Sequence, residues 1–115
     1  MGDTGTYLAL IEAQGPQPQW RYYVAYTADR LDGTWQPLAA RREQPFAGMA
    51  NVAQPEGHWT DNVSHGELIR AGCDETLTID PDDLRFLFQG VAAKDASGRT
   101  YGEIPWRLGL LRLNR

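Results

Sequence analysis

An all-β fold is the class this sequence predicts, on three observations. The chain has 12 glycines and 7 prolines, which cut it into short runs separated by turns. Within those runs apolar and aromatic residues alternate at period two. Nowhere does an i, i+3, i+4 pattern persist long enough to mark a helix. A length of 115 residues supports one modest core and not two. Residues 1–115 therefore read as one domain of about six to eight short strands. Hairpin spacing of this kind suits a sandwich or part of a radial array of sheets.

Gly2, Asp3 and Gly5 make an opening turn, and Tyr7–Ile11 follows, apolar on both faces, as a buried central strand. Glu12 lies directly after it and is either a solvated strand-end charge or part of a polar site. Gly15-Pro16-Gln17-Pro18 turns the chain into Trp20–Thr27. There Trp20, Tyr22, Val24 and Tyr26 share one face and Arg21, Tyr23, Ala25 and Thr27 the other, so the two runs pair as a hairpin. Asp29–Trp35 is a tight turn in which Asp32-Gly33 is expected to supply a positive φ. A short strand then runs from Trp35 through Leu38.

Residues 40–58 are polar, broken by Pro and Gly and without period, a loop long enough to be functional or mobile. Trp59–Arg70, W-T-D-N-V-S-H-G-E-L-I-R, brings an aromatic ring, two carboxylates, an amide and an imidazole into one stretch. It is the first place to look for a polar site. From His65 onward alternation sets His65, Glu67 and Ile69 on one side. Thr76–Ile79 reads as a strand, broken by Asp80-Pro81-Asp82-Asp83. Leu84, Phe86 and Phe88 alternate with Arg85, Leu87 and Gln89 in a further strand ended by Gly90. Residues 92–100 form a polar loop, and Trp106–Leu113 is the last strand, preceded by Pro105.

The formal net charge is -4, and no basic run exceeds Arg41-Arg42. A polyanion binder carries a basic stripe, so nucleic acid is disfavoured as a partner. Tyr7–Ile11 is too short to span a membrane or to serve as the apolar part of a signal peptide, and Met1–Gly15 has no basic lead. By itself the chain is expected to be soluble, without membrane contact or export signal. The single cysteine, Cys73, excludes an internal disulfide and a Cys-rich zinc site. With 4 Trp and 5 Tyr, the surface suits a neutral carbohydrate, whose C–H face packs on an aromatic ring.

Candidate chemistry is harder to choose. Asp80, Asp82 and Asp83 lack the glycine and terminal glutamate of a calcium-binding loop. His65 with Glu12 or Glu67 could hold a cation. Glycoside hydrolysis needs two carboxyl groups across the scissile bond, and Glu12, Asp61, Glu67 and Glu103 are available. Their spacing selects no pair. Nucleophile elbow, phosphate-cradling loop and zincin helix are all missing.

Several segments, in order, nevertheless resemble one family. W-T-D-N-V-S-H-G-E-L-I-R (59–70), D-E-T-L-T-I-D-P-D-D-L (74–84) and F-L-F-Q-G (86–90) are similar to the C-terminal part of glycoside hydrolase family 62. So are P-F-A-G (45–48), Y-G-E-I-P-W-R-L-G-L-L (101–111), Y-L-A-L-I-E-A-Q-G (7–15) and T-A-D-R-L-D-G-T-W (27–35). The family are secreted, extracellular α-L-arabinofuranosidases that remove arabinose side chains from arabinoxylan with inversion, on a five-bladed β-propeller. At about 40–50 residues per blade, this chain would supply about two blades, a C-terminal fragment of the catalytic domain.

The resemblance also implies roles. The family's general base, its acid-tuning aspartate and its acid glutamate all fall before Tyr7, so no catalytic carboxyl is expected in this chain. Glu12 is a second glutamate of the Y-L-A-L-I-E-A strand and not the acid. A calcium ion is expected at the propeller centre, with His65 and Glu12 as its ligands and His65 at the floor of the arabinose pocket. Tyr101 matches a cleft tyrosine that contacts xylan, so arabinoxylan or arabinose-substituted xylo-oligosaccharide is the expected partner. Three positions depart from the pattern: Gly102 stands for an asparagine, Asp82 for a disulfide-bonded cysteine and Val24 for an arginine. The isolated chain is expected to be inactive. Its alternatives are a non-catalytic xylan-binding β-module and a non-functional gene remnant.

Overall fold

The computed structural model describes residues 4–16 and 20–114. Seven strands form among the described residues. β1 (Tyr7–Gln14), β2 (Arg21–Ala28), β3 (Gln36–Arg41) and the short β4 (Gln44–Pro45) make one antiparallel sheet in that order. β5 (Ser64–Leu68), β6 (Arg85–Gly90) and β7 (Arg107–Arg112) make a second. The Gly2-Asp3 part of the opening turn and the Gln17-Pro18 part of the hairpin turn lie outside the described residues.

The core lies between the sheets. Tyr23 of β2 meets Phe86 and Phe88 of β6, with Ala47 and Val63 alongside. The rings pack edge-on, Tyr23 to Phe86 at 5.0 Å and Phe46 to Phe86 at 5.7 Å between centroids, the arrangement aromatic quadrupoles favour. Gly66 is needed for this packing, because a Cβ there would lie 2.2 Å from Phe86 Cζ.

The segment before β5 joins the sheets through buried polar groups. Arg21 N–H donates to Asn62 Oδ1 at 3.0 Å, and Val63 N–H donates to Arg21 O at 3.1 Å. On the other side Asp61 N–H and Asn62 Nδ2 donate to Val91 O, at 3.0 and 3.2 Å. Thr60 Oγ1 donates to Asn62 O at 2.7 Å and accepts from Asn62 N–H at 3.0 Å. Thr60 and Asn62 are fully buried, and these bonds offset the desolvation that burial costs. Thr60-Asp61-Asn62 is thus a strut between the sheets.

Several expectations change. β1 is an edge strand, not a central one, pairing only with β2 among the described residues and leaving Tyr7 and Ile11 exposed. Glu12 is inside that strand. Thr76–Ile79 is not a strand. Asp74 Oδ1 accepts from Thr76 N–H at 3.1 Å and from Thr76 Oγ1, and Leu77 takes a left-handed φ of 56°. Local side-chain bonds there outcompete a ladder. Gly33 has no positive φ; the turn closes by Gly33 N–H donating to Arg30 O at 3.1 Å. The polar 92–100 loop holds one helical turn, α1 (Ala93–Ala96). The strand expected from Trp35 runs instead to Arg41 and pairs with β4 inside the expected 40–58 loop.

Candidate functional site

The site begins with hairpin register. β1 and β2 pair Glu12 with Tyr23 and Gln14 with Arg21, so Glu12 and Arg21 are diagonal neighbours on one face. Arg21 Nη1 lies 3.4 Å from Glu12 Oε1, and the two side chains keep only 15% and 23% of their exposure, so bulk water screens the pair little. β5 enters from the other sheet and brings Ser64, fully buried, against both. Ser64 Oγ donates to Glu12 Oε1 at 2.6 Å, and Arg21 Nη1 donates to Ser64 Oγ at 3.2 Å. His65 Nδ1 lies 3.2 Å from the same Ser64 oxygen.

The backbone at His65 is unusual. Its φ is 44°, a left-handed value that costs a non-glycine residue about 1–3 kcal/mol. The β5–β6 pairing shifts register between Ser64 and Glu67, a bulge that breaks the simple alternation expected here. Gly66 N–H donates to Tyr23 Oη at 2.7 Å and ties the bulge to the core. Burial pushes the Tyr23 phenol above its ordinary value; the Gly66 bond opposes the rise, the Glu12 charge adds to it and Arg21 opposes it.

Arg21 also reaches the aromatic side of the site. Its guanidinium carbon lies 5.8 Å from the Tyr101 ring centroid and 5.7 Å from that of Trp106, within cation–π range. Tyr101, in the 3-10 turn Tyr101–Glu103, stands 6.4 Å from Trp106, and Trp20 stands 6.5 Å from Trp106 on the other side. These residues line a cleft of ≈ 520 Å³ together with Ile104 and the 93–99 turn.

The structure therefore joins Glu12 and His65 through Ser64, and joins both to Tyr101 through Arg21. Sequence reasoning missed Ser64 and Arg21. The signal for Arg21 was a cation on the same strand face as Tyr23, which calls for a carboxylate or an aromatic ring as partner once that face is covered. For Ser64 the sequence carried no such signal.

The other carboxylates hold structural partners. Asp61 Oδ1 lies 2.9 Å from His58 Nε2, and its Oδ2 accepts from Ala93 N–H at 2.6 Å. Glu67 is exposed beside Arg70 at 3.4 Å. Glu103 Oε2 accepts from Thr100 N–H at 3.2 Å, closing its own turn.

A cation at this place would find two donors from the chain. His65 Nε2 and Glu12 Oε2 have no hydrogen-bond partner among the described residues. Among those residues no three His, Cys, Asp or Glu side chains converge, whereas calcium takes six to eight ligands. Two such donors are chemically compatible with calcium only if further oxygens make up the rest of its shell.

Comparison with known proteins places this geometry. The model of glycosyl hydrolase family 62 matches residues 2–112. The chain is 49% identical over 109 residues to alpha-L-arabinofuranosidase C of Cellvibrio japonicus, covering 95% of this chain and 17% of that protein. The catalytic domain of the Coprinopsis cinerea GH62 α-L-arabinofuranosidase is 42% identical with a TM-score of 0.88, over 96% of this chain and 34% of that one. The Podospora anserina α-L-arabinofuranosidase, solved with cellotriose, is 41% identical with a TM-score of 0.89, over 98% and 35%. The chain thus spans about a third of the solved relatives and less of the curated one. Its two sheets are about two blades of that family's β-propeller. With nearly its whole length matched by sequence and by fold, the chain belongs to glycosyl hydrolase family 62.

Proposed function

We propose that this chain supplies the floor and one wall of the sugar pocket in an α-L-arabinofuranosidase. The enzyme would act outside the cell, removing arabinofuranosyl side chains from arabinoxylan or substituted xylo-oligosaccharides with inversion. One observation carries the reading: Arg21 meets Glu12, Ser64 and the Tyr101 ring, and Ser64 in turn meets His65. A relative solved with xylotriose, 44% identical to this chain, supports a xylan-type ligand for the cleft.

Within this reading His65 and Glu12 contribute to the shell of a central cation, which would hold strands of different blades in register and orient pocket waters. Tyr101 and Trp106 present ring faces to the xylan backbone. Arg21 holds floor and wall in one geometry. The acid and base come from the part of the relatives that this chain does not span, since Glu12, Asp61, Glu67 and Glu103 each serve a structural partner.

Incubation with wheat arabinoxylan tests the assignment. The chain alone is expected to release no arabinose, and measurable turnover would place catalytic carboxyls among the residues present here. A second reading is a non-catalytic xylan-binding module, for which the exposed Tyr101 ring beside Trp106 in the cleft speaks. Affinity electrophoresis in arabinoxylan gels separates the two, since only a binding module is retarded without its relatives' remaining blades.

A further inference from the structure

We propose that Ser64 is a positioning residue that holds neutral His65 in its Nδ1–H form, with Glu12 and Arg21 fixing the serine, so that the site presents the Nε2 lone pair. A serine hydroxyl has one proton and two lone pairs. Ser64 Oγ lies 2.6 Å from Glu12 Oε1, the separation of a short charge-assisted bond, and a carboxylate can only accept. The serine proton therefore belongs to Glu12. Arg21 can only donate, and its Nη1 takes one lone pair of Oγ at 3.2 Å. The remaining lone pair faces His65 Nδ1 at 3.2 Å. Two lone pairs facing each other repel, so this contact is favourable only when Nδ1 carries the ring proton.

Ser64 is fully buried, so solvent does not compete for its proton. Arg21 pairs with the same Glu12 oxygen at 3.4 Å and keeps the acceptor in place. Free histidine favours the opposite, Nε2–H form, which has no lone pair at the outer nitrogen. A metal-ligating histidine has its tautomer set by the bond its other nitrogen makes. The inference rests on the proposed cation only for what Nε2 meets; the tautomer itself does not depend on it.

Two-bond 1H–15N correlation spectra of the labelled 115-residue chain report which ring nitrogen carries the proton. They are recorded at about pH 8.5, two units above the usual histidine value. His65 should show the Nδ1–H form. Ser64→Ala should lower its Nδ1–H to Nε2–H ratio by at least about fivefold, the equivalent of one ordinary hydrogen bond. Ser64→Thr, which keeps the hydroxyl, should restore it. His58 is the internal reference, because its Nε2 faces Asp61 Oδ1 at 2.9 Å and should remain Nε2–H throughout. Where near-UV circular dichroism shows Ser64→Ala unfolded, Glu12→Gln replaces it, with a shift in the same direction expected from the weaker acceptor. An Nε2–H form in the native chain, or an unmoved ratio in a folded variant, overturns the proposal. Calcium titration of the same samples reads the cation separately; no calcium-dependent shift removes the cation and leaves the tautomer assignment standing.

Discussion

Replacing Gly66 by alanine tests whether the bulge and the core are one unit. The added Cβ would lie 2.2 Å from Phe86 Cζ and 2.5 Å from Cε1. Phe86 is buried and cannot swing away, since Tyr23 and Phe46 hold it at 5.0 and 5.7 Å between rings. If the ring shifts, overpacking costs about 1–3 kcal/mol. If the backbone retreats instead, the part-buried Gly66 N–H leaves Tyr23 Oη, 2.7 Å away, and losing that bond costs about 1–3 kcal/mol. Either route predicts a loss of about 2–4 kcal/mol, because each also disturbs the other contact. In urea, with a slope of about 2 kcal/mol per molar, the midpoint should fall by about 1–2 M, read by tryptophan fluorescence. Introduced beside Phe86→Leu, the same change should cost at least about 1 kcal/mol less, as a coupled pair requires. A midpoint that moves by less than about 0.3 M, or equal costs in both backgrounds, would refute the steric reasoning.

Arg21→Lys keeps the charge but loses the planar fork that serves Glu12, Ser64 and two rings at once; it should destabilise by about 1–3 kcal/mol in the same urea assay, where an unchanged midpoint would count against the role given to Arg21. The raised Tyr23 phenol gives a pH prediction: its contribution is complete below the ordinary value of 10.0 and is lost as pH rises through the higher folded value. Stability should therefore fall with pH between 10.0 and the higher folded value, and Tyr23→Phe should flatten that slope; equal slopes would sink the assignment. Thr76 bonds hold the exposed Asp74 carboxyl below 3.8, a contribution present above that value and lost as pH falls through the folded one. Thr76→Ala should raise Asp74 toward 3.8 in a 13C titration, and no movement would show that the Thr76 hydroxyl is not the cause.

The aromatic alternation of Trp20–Thr27 and of Leu84–Gln89 was readable because period two is a local property of a strand buried on at least one face. The same logic failed at Thr76–Ile79, where the Asp74 carboxylate takes the Thr76 N–H and the two threonine hydroxyls bond to side chains nearby, and β-branched residues alone do not make a ladder. It failed again at His65, because a bulge inserts a residue that no pattern announces. Asp61 was one of four carboxylates whose spacing did not say whether they serve chemistry or structure. In the fold it anchors α1 and pairs with His58, a use that depends on a backbone amide over thirty residues away.

Composition and pattern alone were enough for an all-β domain with aromatic faces suited to sugar, and ordered motifs were enough for its family. Those properties are carried by each residue with its near neighbours. The polar site is different in kind. Glu12, Arg21, Ser64 and Tyr101 come from four separate elements, and their meeting depends on hairpin register, the Thr60–Asn62 strut and the bulge at His65. Each of those is a long-range geometric fact. Ser64 became visible as the hinge of the site only once two sheets had closed on it.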